Sequence, residues 1–188
     1  MGLVLCLPAL LSAQTAIFSD DFECGDTSAW SAPNSESASM AGMTCAHNDA
    51  RDSVIPAASP PIPPLSWDNN LAAIAQAWAN NCTWAHSGNG YGENLAAFVA
   101  DETPQAIVDL WVLESACYDY ATNTCSPGCI PNVVSCGHYT QVVWRTSARI
   151  GCGVRYCTTG SPFPSFPNWY LWVCNYDPPG NFIGQKPY

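Results

Sequence analysis

Basic side chains are scarce in this sequence. Its 188 residues contain 5 Lys and Arg against 15 Asp and Glu, which gives a formal net charge of −10 at pH 7. Such a chain repels polyanions, so the composition argues against nucleic-acid binding and against attraction to an anionic membrane surface. Charged residues make up only 11% and hydrophobic residues 48%. This apolar content excludes a disordered chain.

The apolar run at residues 3–11 is too short to cross a bilayer. Its length is that of the apolar core of a signal peptide, and the small residues Ser12, Ala13 and Ala16 follow it. We therefore expect residues 1–16 to be a signal peptide and the mature protein to be secreted and extracellular. The alternative is a buried helix of an intracellular protein.

Cysteine, by contrast, is abundant. Eleven cysteines are hard to reconcile with a reducing cytosol. Removing Cys6 with the signal peptide leaves ten, an even number that suits a disulfide framework. Residues 17–38 hold five acids and no bases, which predicts an acidic extension or linker. The globular pattern begins at about Met40.

Helical patterns come first in the globular region and strand patterns later. Helices are expected over residues 40–53, after Asp68 as N-cap, and after Thr103 with Pro104 at the first helical position. Alternation with period two then predicts strands at residues 141–145, 150–157 and 169–176. This order predicts an α+β fold whose antiparallel strands pack against helices.

One carboxylate lies on an apolar stripe. The helix after Thr103 carries Ile107, Leu110 and Trp111 on one face, and the next position of that face is Glu114. A carboxylate on an inward face is costly unless it is paired, hydrogen-bonded or next to a wet cleft. Glu114 is therefore a candidate functional residue.

The chain has only three histidines. His47 lies on the first predicted helix and is expected to pack or to form hydrogen bonds there. His86 begins a Gly-rich loop that reaches Glu93 seven residues later, and His138 directly precedes a predicted strand. The sequence contains no His-Glu-x-x-His helix, no Gly-x-Ser-x-Gly elbow and no phosphate-binding Gly-x-x-x-x-Gly-Lys loop. A catalytic role is therefore not favoured.

Several motifs resemble those of the CAP superfamily, which includes cysteine-rich secretory proteins, antigen 5 and plant pathogenesis-related group 1 proteins. The matching stretches are GHYTQVVW at residues 137–144, VCNYDPPGN at 173–181, HNDAR at 47–51 and YGENLA at 91–96. They run in order through the chain, and the plant pathogenesis-related group is the most similar. The resemblance implies a CAP domain over residues 39–188, built as a three-layer α-β-α sandwich with a central antiparallel sheet.

The resemblance also implies a central cleft that holds His86, Glu93, Glu114 and His138. Two neutral imidazoles, here His86 and His138, can bind Zn²⁺ or another divalent cation at low affinity, while the glutamates orient them. The alternative is a purely structural cluster in which the four side chains satisfy one another and order the cleft.

For function, the resemblance implies a binding module, active as a monomer, for an extracellular lipid, sterol or protein partner. An apolar loop at residues 162–168 with its neighbouring aromatic residues could supply an apolar contact surface, or could belong to the core. Those aromatic residues are Phe163, Phe166, Trp169 and Tyr170. The alternative is a metal-dependent, protease-like hydrolase that uses the same His and Glu residues.

Disulfide pairing is not settled by spacing. Cys152 and Cys174 lie on the two late strands and are expected to pair. Cys82 precedes the His86 loop and Cys136 precedes His138, so a Cys82–Cys136 bridge would join the two histidine segments. A tight Cys125–Cys129 bridge is a further option, and Cys157 has no evident partner.

Overall fold

The computed structural model describes residues 35–131 and 133–188. The expected signal peptide at residues 1–16 and most of the acidic extension at 17–38 lie outside these described residues. The helices are α1 (Met43–Asp52), α2 (Asn69–Ala79), α3 (Pro104–Val112) and α4 (Gly137–Val142), with 3-10 turns at Ala38–Met40 and Leu113–Cys117. None of the helices in these ranges is long and apolar enough to span a membrane.

The strands form one main sheet and one small hairpin. They are β1 (Ser66–Trp67), β2 (Gly92–Phe98), β3 (Tyr118–Asp119), β4 (Thr124–Cys125), β5 (Arg149–Cys157) and β6 (Trp169–Asp177). The main sheet has the order β1-β5-β6-β2, and β3 pairs with β4. All pairs are antiparallel except the two-residue pairing of β1 with β5. In this sheet, β2 lies at an edge and β6 lies inside.

Helix α2 covers one face of the main sheet. Asp68 caps it as expected, since its carboxylate accepts from the backbone N–H groups of Asn70 and Leu71. The helix approaches β5 so closely that a Cβ added to Gly151 would lie 2.1 Å from the backbone nitrogen of Ala72. Only glycine fits at this contact, and α2 is thereby seated directly on the strands.

Helices α1, α3 and α4 cover the opposite face. Met43, Ile107 and Val142 are buried there against Trp172 and Tyr176 of β6. On the other face Leu171 and Val173 pack with Ala75 and Ala79 of α2. β6 is buried on both faces, and its buried side chains are apolar on both except for Asn175. The expected three-layer α-β-α sandwich is confirmed.

One predicted strand and one predicted buried residue are wrong. Residues 141–145 were expected to be a strand, but Gln141 and Val142 end helix α4 and the chain then turns. Leu110 was expected on the buried stripe of α3, but it is exposed, and Val108 is buried with Ile107 and Trp111 instead. Strand β2, which carries Glu93, was not predicted.

The disulfide pattern corrects the expected pairing. Cys152 and Cys174 do pair, and they are direct cross-strand partners in β5 and β6. The expected Cys82–Cys136 bridge is wrong, as is Cys125–Cys129. The remaining bridges between described residues are Cys82–Cys157, Cys117–Cys129 and Cys125–Cys136. The reason is topological: the end of α2 lies beside the end of β5, whereas Cys136 begins α4 on the other side of the sheet.

Candidate functional site

The first of two His–Glu pairs joins the Gly-rich loop to β2. Nδ1 of His86 lies 2.8 Å from Oε1 of Glu93. A carboxylate only accepts hydrogen bonds, so Nδ1 is the donor, and the tautomer that this bond selects carries its lone pair on Nε2. The backbone N–H and the hydroxyl of Ser87 donate to the same carboxylate. The side chain of Glu93 is 5% exposed and that of His86 is 65% exposed. A buried, anchored carboxylate thus orients an imidazole that faces solvent.

The second pair joins the 3-10 turn after α3 to helix α4. Nδ1 of His138 donates to Oε1 of Glu114 at 2.6 Å. Oε2 of Glu114 accepts from the backbone N–H groups of His138 and Tyr139 at 2.9 and 3.0 Å. Glu114 is only 8% exposed. The carboxylate that stood out on the apolar stripe is therefore buried and satisfied by three donors.

Helix α4 is held at both ends by side chains from other elements. Its N-cap, Cys136, gives no side-chain hydrogen bond, and Glu114 takes the first N–H groups instead. At the other end, the guanidinium of Arg51 donates to the carbonyls of Val142 and Trp144. An anion at the start of a helix and a cation at its end both interact favourably with the helix dipole and stabilise the helix. A six-residue helix is too short to be stable alone, so these two side chains place His138.

The ring and backbone of His138 have further contacts. The indole of Trp111 lies nearly parallel to its ring, with ring centroids 6.3 Å apart. Trp111 is itself fixed by donating its indole N–H to the carbonyl of Leu95 in β2. The amide of Asn94 donates to the carbonyl of His138 at 3.0 Å. His138 is thus positioned from three sides.

A buried polar chain connects this site to His47 on α1. The same Asn94 amide donates to the hydroxyl of Tyr176, which lies 2.9 Å from Nε2 of His47. Nδ1 of His47 lies 2.7 Å from the carbonyl of Met43 and donates to it. Burial lowers the pKa of His47 to about 4; the Met43 hydrogen bond opposes this shift and the Arg51 charge adds to it. His47 is therefore neutral at pH 7, and the expectation of a packing and hydrogen-bonding residue agrees with these contacts.

The pKa of His47 predicts a pH dependence of stability. The unfolded chain takes up this proton near pH 6.5, but the folded protein only near pH 4. Between these values the unfolded state binds more protons, so the free energy of unfolding falls as pH falls, by about 3 kcal/mol for this group. Urea unfolding from pH 7 to pH 4 measures the loss. Carboxylates also titrate in this range, so the wild type is compared with His47→Gln, which has the same carboxylates. Between pH 7 and pH 4 the free energy of unfolding of the variant should fall by about 3 kcal/mol less than that of the wild type. Parallel curves would contradict the prediction.

Neighbouring residues of β2 contact the two His–Glu pairs: Glu93 binds His86, and Asn94 binds the carbonyl of His138. Successive side chains of a strand alternate between faces: Glu93 shares the α2 side with Leu95, and Asn94 shares the other side with Ala96. The structure joins His86 to Glu93 and His138 to Glu114. No hydrogen bond between described residues connects one pair to the other, and these residues contain no group of three or more His, Cys, Asp or Glu placed to hold a metal ion. A single cleft shared by all four stays a prediction.

The apolar loop at residues 162–168 connects β5 to β6. Of its four aromatic candidates, Trp169 is fully buried and Phe163 packs at the edge of the core on the α2 side. Tyr170 is half-buried beside Tyr156. Phe166 is 54% exposed. The loop therefore offers one exposed aromatic side chain as a contact surface.

Three positioning residues were missed from the sequence: Asn94, Trp111 and Arg51. Asn94 directly follows Glu93, and recognising β2 would have placed the two side chains on opposite faces. Trp111 was seen only as part of an apolar stripe, and Arg51 only as part of a motif. No local signal identifies the distant carbonyl groups that Arg51 contacts.

Comparison with known proteins agrees with the fold and the motifs. A family model described as the cysteine-rich secretory protein family, CAP, matches residues 45–176. Pathogenesis-related leaf protein 4 of Solanum lycopersicum is 47% identical over 146 residues, which cover 76% of this chain and 79% of that protein. Pathogenesis-related protein 1 of Arabidopsis thaliana is 45% identical over 147 residues, which cover 76% and 78%. The solved structure of venom allergen-like protein 4 of Schistosoma mansoni matches with a TM-score of 0.61 at 28% identity, over 81% of this chain and 95% of that one. The protein is a member of the CAP family.

Proposed function

We propose that this protein is a secreted binding protein whose His86 and His138 together bind a divalent cation. The observation that carries the proposal is the shared arrangement of the two imidazoles. Each donates through Nδ1 to a buried carboxylate, and neither Nε2 has a hydrogen-bond partner among the described residues. A carboxylate on the far nitrogen of a metal-binding imidazole fixes the tautomer and raises the basicity of the ligand.

The donor set fits a weak site. Two imidazole nitrogens suit Zn²⁺ and similar cations, with Glu93 and Glu114 holding the rings and water completing the coordination. Catalytic zinc sites usually have three protein ligands, and the described residues assemble no such group. No observation therefore favours the metal-dependent hydrolase.

Calorimetric titration with ZnCl₂ tests the proposal. We expect one zinc per chain for the wild type and no specific heat for the double variant His86→Ala/His138→Ala. If both imidazoles hold one ion, each single variant should lose nearly as much affinity as the double variant. Glu93→Gln should weaken binding about 10- to 100-fold, because a neutral amide replaces the carboxylate that orients His86 and raises its basicity.

Asp109→Asn is the matched control, because it removes an exposed carboxylate on α3 that touches neither pair. Its titration should equal that of the wild type. Equal heats for the wild type and the double variant would refute the cation site. Two sites per chain, each lost with a different histidine, would refute the shared ion.

The organic ligand class that accompanies this proposal is a small lipid or sterol, with an extracellular protein as the other partner class. The exposed ring of Phe166 supports an apolar ligand. Saturable binding of labelled cholesterol to the wild type, and its loss in Phe166→Ala, would support it. Equal binding to the unfolded chain would contradict it.

A further inference from the structure

A groove runs between the C-terminal segment and the turn that follows α4. Two adjoining cavities of about 370 and 320 Å³ form it, and they share Trp144, Phe182 and Gln185. The larger cavity is also lined by Arg145, Lys186 and Tyr188. We call the two cavities together the C-terminal groove. Each volume is within the range of small-molecule sites, about 300–1,000 Å³.

The charge of the groove is opposite to that of the protein. The chain has only five Lys and Arg against fifteen Asp and Glu. Two of those five, Arg145 and Lys186, line the larger cavity, and no Asp or Glu is among the lining residues of either cavity. Two bases and no acidic side chain thus line the larger cavity of a molecule with a net charge of −10, which favours an anionic ligand.

Both cations are held by neutral groups. The terminal nitrogens of Arg145 donate to the carbonyls of Pro61 and Pro60 at 2.9 and 2.7 Å. Nζ of Lys186 donates to the carbonyl of Ala121 and lies 4.5 Å from the ring centre of Tyr120. Neither lies within ion-pair distance of a described carboxylate, although the charge of Lys186 contributes to the lowered pKa of Asp119 after the hydrogen bonds from Thr122 and Ala121. A guanidinium has five donors and an ammonium three, so both keep donors for a ligand while their positions are fixed.

The wall between the two cavities is aromatic. The rings of Trp144 and Phe182 lie 6.0 Å apart. Trp144 is buried, whereas Phe182 is 50% exposed. The ring of Tyr188 stacks on that of Tyr120, and its main-chain oxygen accepts from the Tyr120 hydroxyl. An apolar ring in the groove would gain the exposed face of Phe182.

We propose that the C-terminal groove binds a small organic anion, an aromatic carboxylate or sulfonate. Its anionic group binds between Arg145 and Lys186, and its ring lies against Phe182. A concave site of this volume favours a small molecule over a bilayer, and the net charge of −10 opposes an anionic membrane. The proposal involves neither His–Glu pair and is independent of the cation site.

Equilibrium dialysis with 2-naphthoate tests the proposal. We expect saturable binding of 2-naphthoate at one site. The neutral 2-naphthamide should bind more weakly by a factor of about ten or more. Lys186→Gln and Arg145→Gln should each weaken 2-naphthoate about tenfold, the effect of losing one hydrogen bond to a charged group. Phe182→Ala should weaken both compounds alike, because it removes the ring contact and no charge.

Arg155→Gln is the matched control, since it removes an exposed base on β5 outside the groove. It should bind 2-naphthoate as the wild type does, and thermal unfolding should show that all variants are folded. Equal binding of acid and amide would overturn the proposal, as would an equal loss in Arg155→Gln. Absence of saturable binding by the wild type would also overturn it. Binding of phosphatidylserine vesicles that depends on Lys186, without binding of 2-naphthoate, would assign the surface to a membrane instead.

Discussion

Replacing Arg51 with methionine is expected to lower the free energy of unfolding by about 4 kcal/mol or more, because it leaves several buried acceptors unsatisfied. Arg51 is 1% exposed. It makes five hydrogen bonds to four carbonyls, those of Pro63, Val142, Trp144 and Ser147. Methionine fills much of the volume but donates nothing. Burial also lowers the pKa of Arg51 to about 10, which leaves it charged at pH 7.

Guanidinium chloride unfolding measures this loss. Since Arg51→Met can remove most of the stability of a typical domain, Arg51→Lys is the second variant. Its ammonium can serve at most three acceptors, so an intermediate loss is expected. Arg155→Met, on the exposed side of β5, is the control and should leave the midpoint unchanged. If Arg51→Met unfolds at the wild-type midpoint, the four carbonyls are satisfied without Arg51.

The same substitution should loosen α4 and the His138 that it carries. Arg51 binds carbonyls at the C-terminal end of α4, so its loss leaves Glu114 as the remaining side-chain cap. Hydrogen exchange of the α4 amides should therefore be faster in Arg51→Lys than in the wild type. A stability loss without faster exchange in α4 would separate the packing role of Arg51 from the positioning of His138.

Among the four bridges between described residues, Cys82–Cys157 is expected to have the largest effect on stability. It closes a sequence separation of 75 residues, whereas Cys125–Cys136 closes one of 11. If a bridge acts mainly on the unfolded chain, removing the longer loop costs about 4 kcal/mol and the shorter one about 3 kcal/mol. Paired Cys→Ser variants, compared by denaturant unfolding without reductant, measure the order. A greater loss from the shorter bridge would contradict it.

Peptide mapping of the unreduced protein gives the matching chemical test. The fragments should join Cys82 to Cys157 and Cys125 to Cys136. A fragment joining Cys82 to Cys136 would restore the pairing expected from the sequence and would contradict the structure.

Local signals predicted those parts of the fold whose cause is local. Asp68 caps α2 and Thr103 caps α3, with Pro104 in the first turn, because a cap acts within three residues. The strands near residues 150–157 and 169–176 were also predicted correctly, since their apolar side chains face packed layers. Strand β2 was missed, because its Gly-rich start becomes a strand only through pairing with β6.

The error at residues 141–145 has a clear physical reason. Valine and tryptophan favour strands in isolation, and a helix of six residues has little stability of its own. Here Glu114 and Arg51, distant in sequence, bind the two ends of α4 and make the helix the stable form. Propensity was overridden by tertiary contacts that no local pattern encodes.

From the sequence by itself came the α+β class, the family motifs, the helix caps and the identities of His86, Glu93, Glu114 and His138. Only the tertiary structure decided that His86 bonds to Glu93 and His138 to Glu114, and that Cys82 bonds to Cys157. The physical reason is distance along the chain. Caps and periodicities act between near neighbours, whereas pairing across a sheet depends on how all the layers pack.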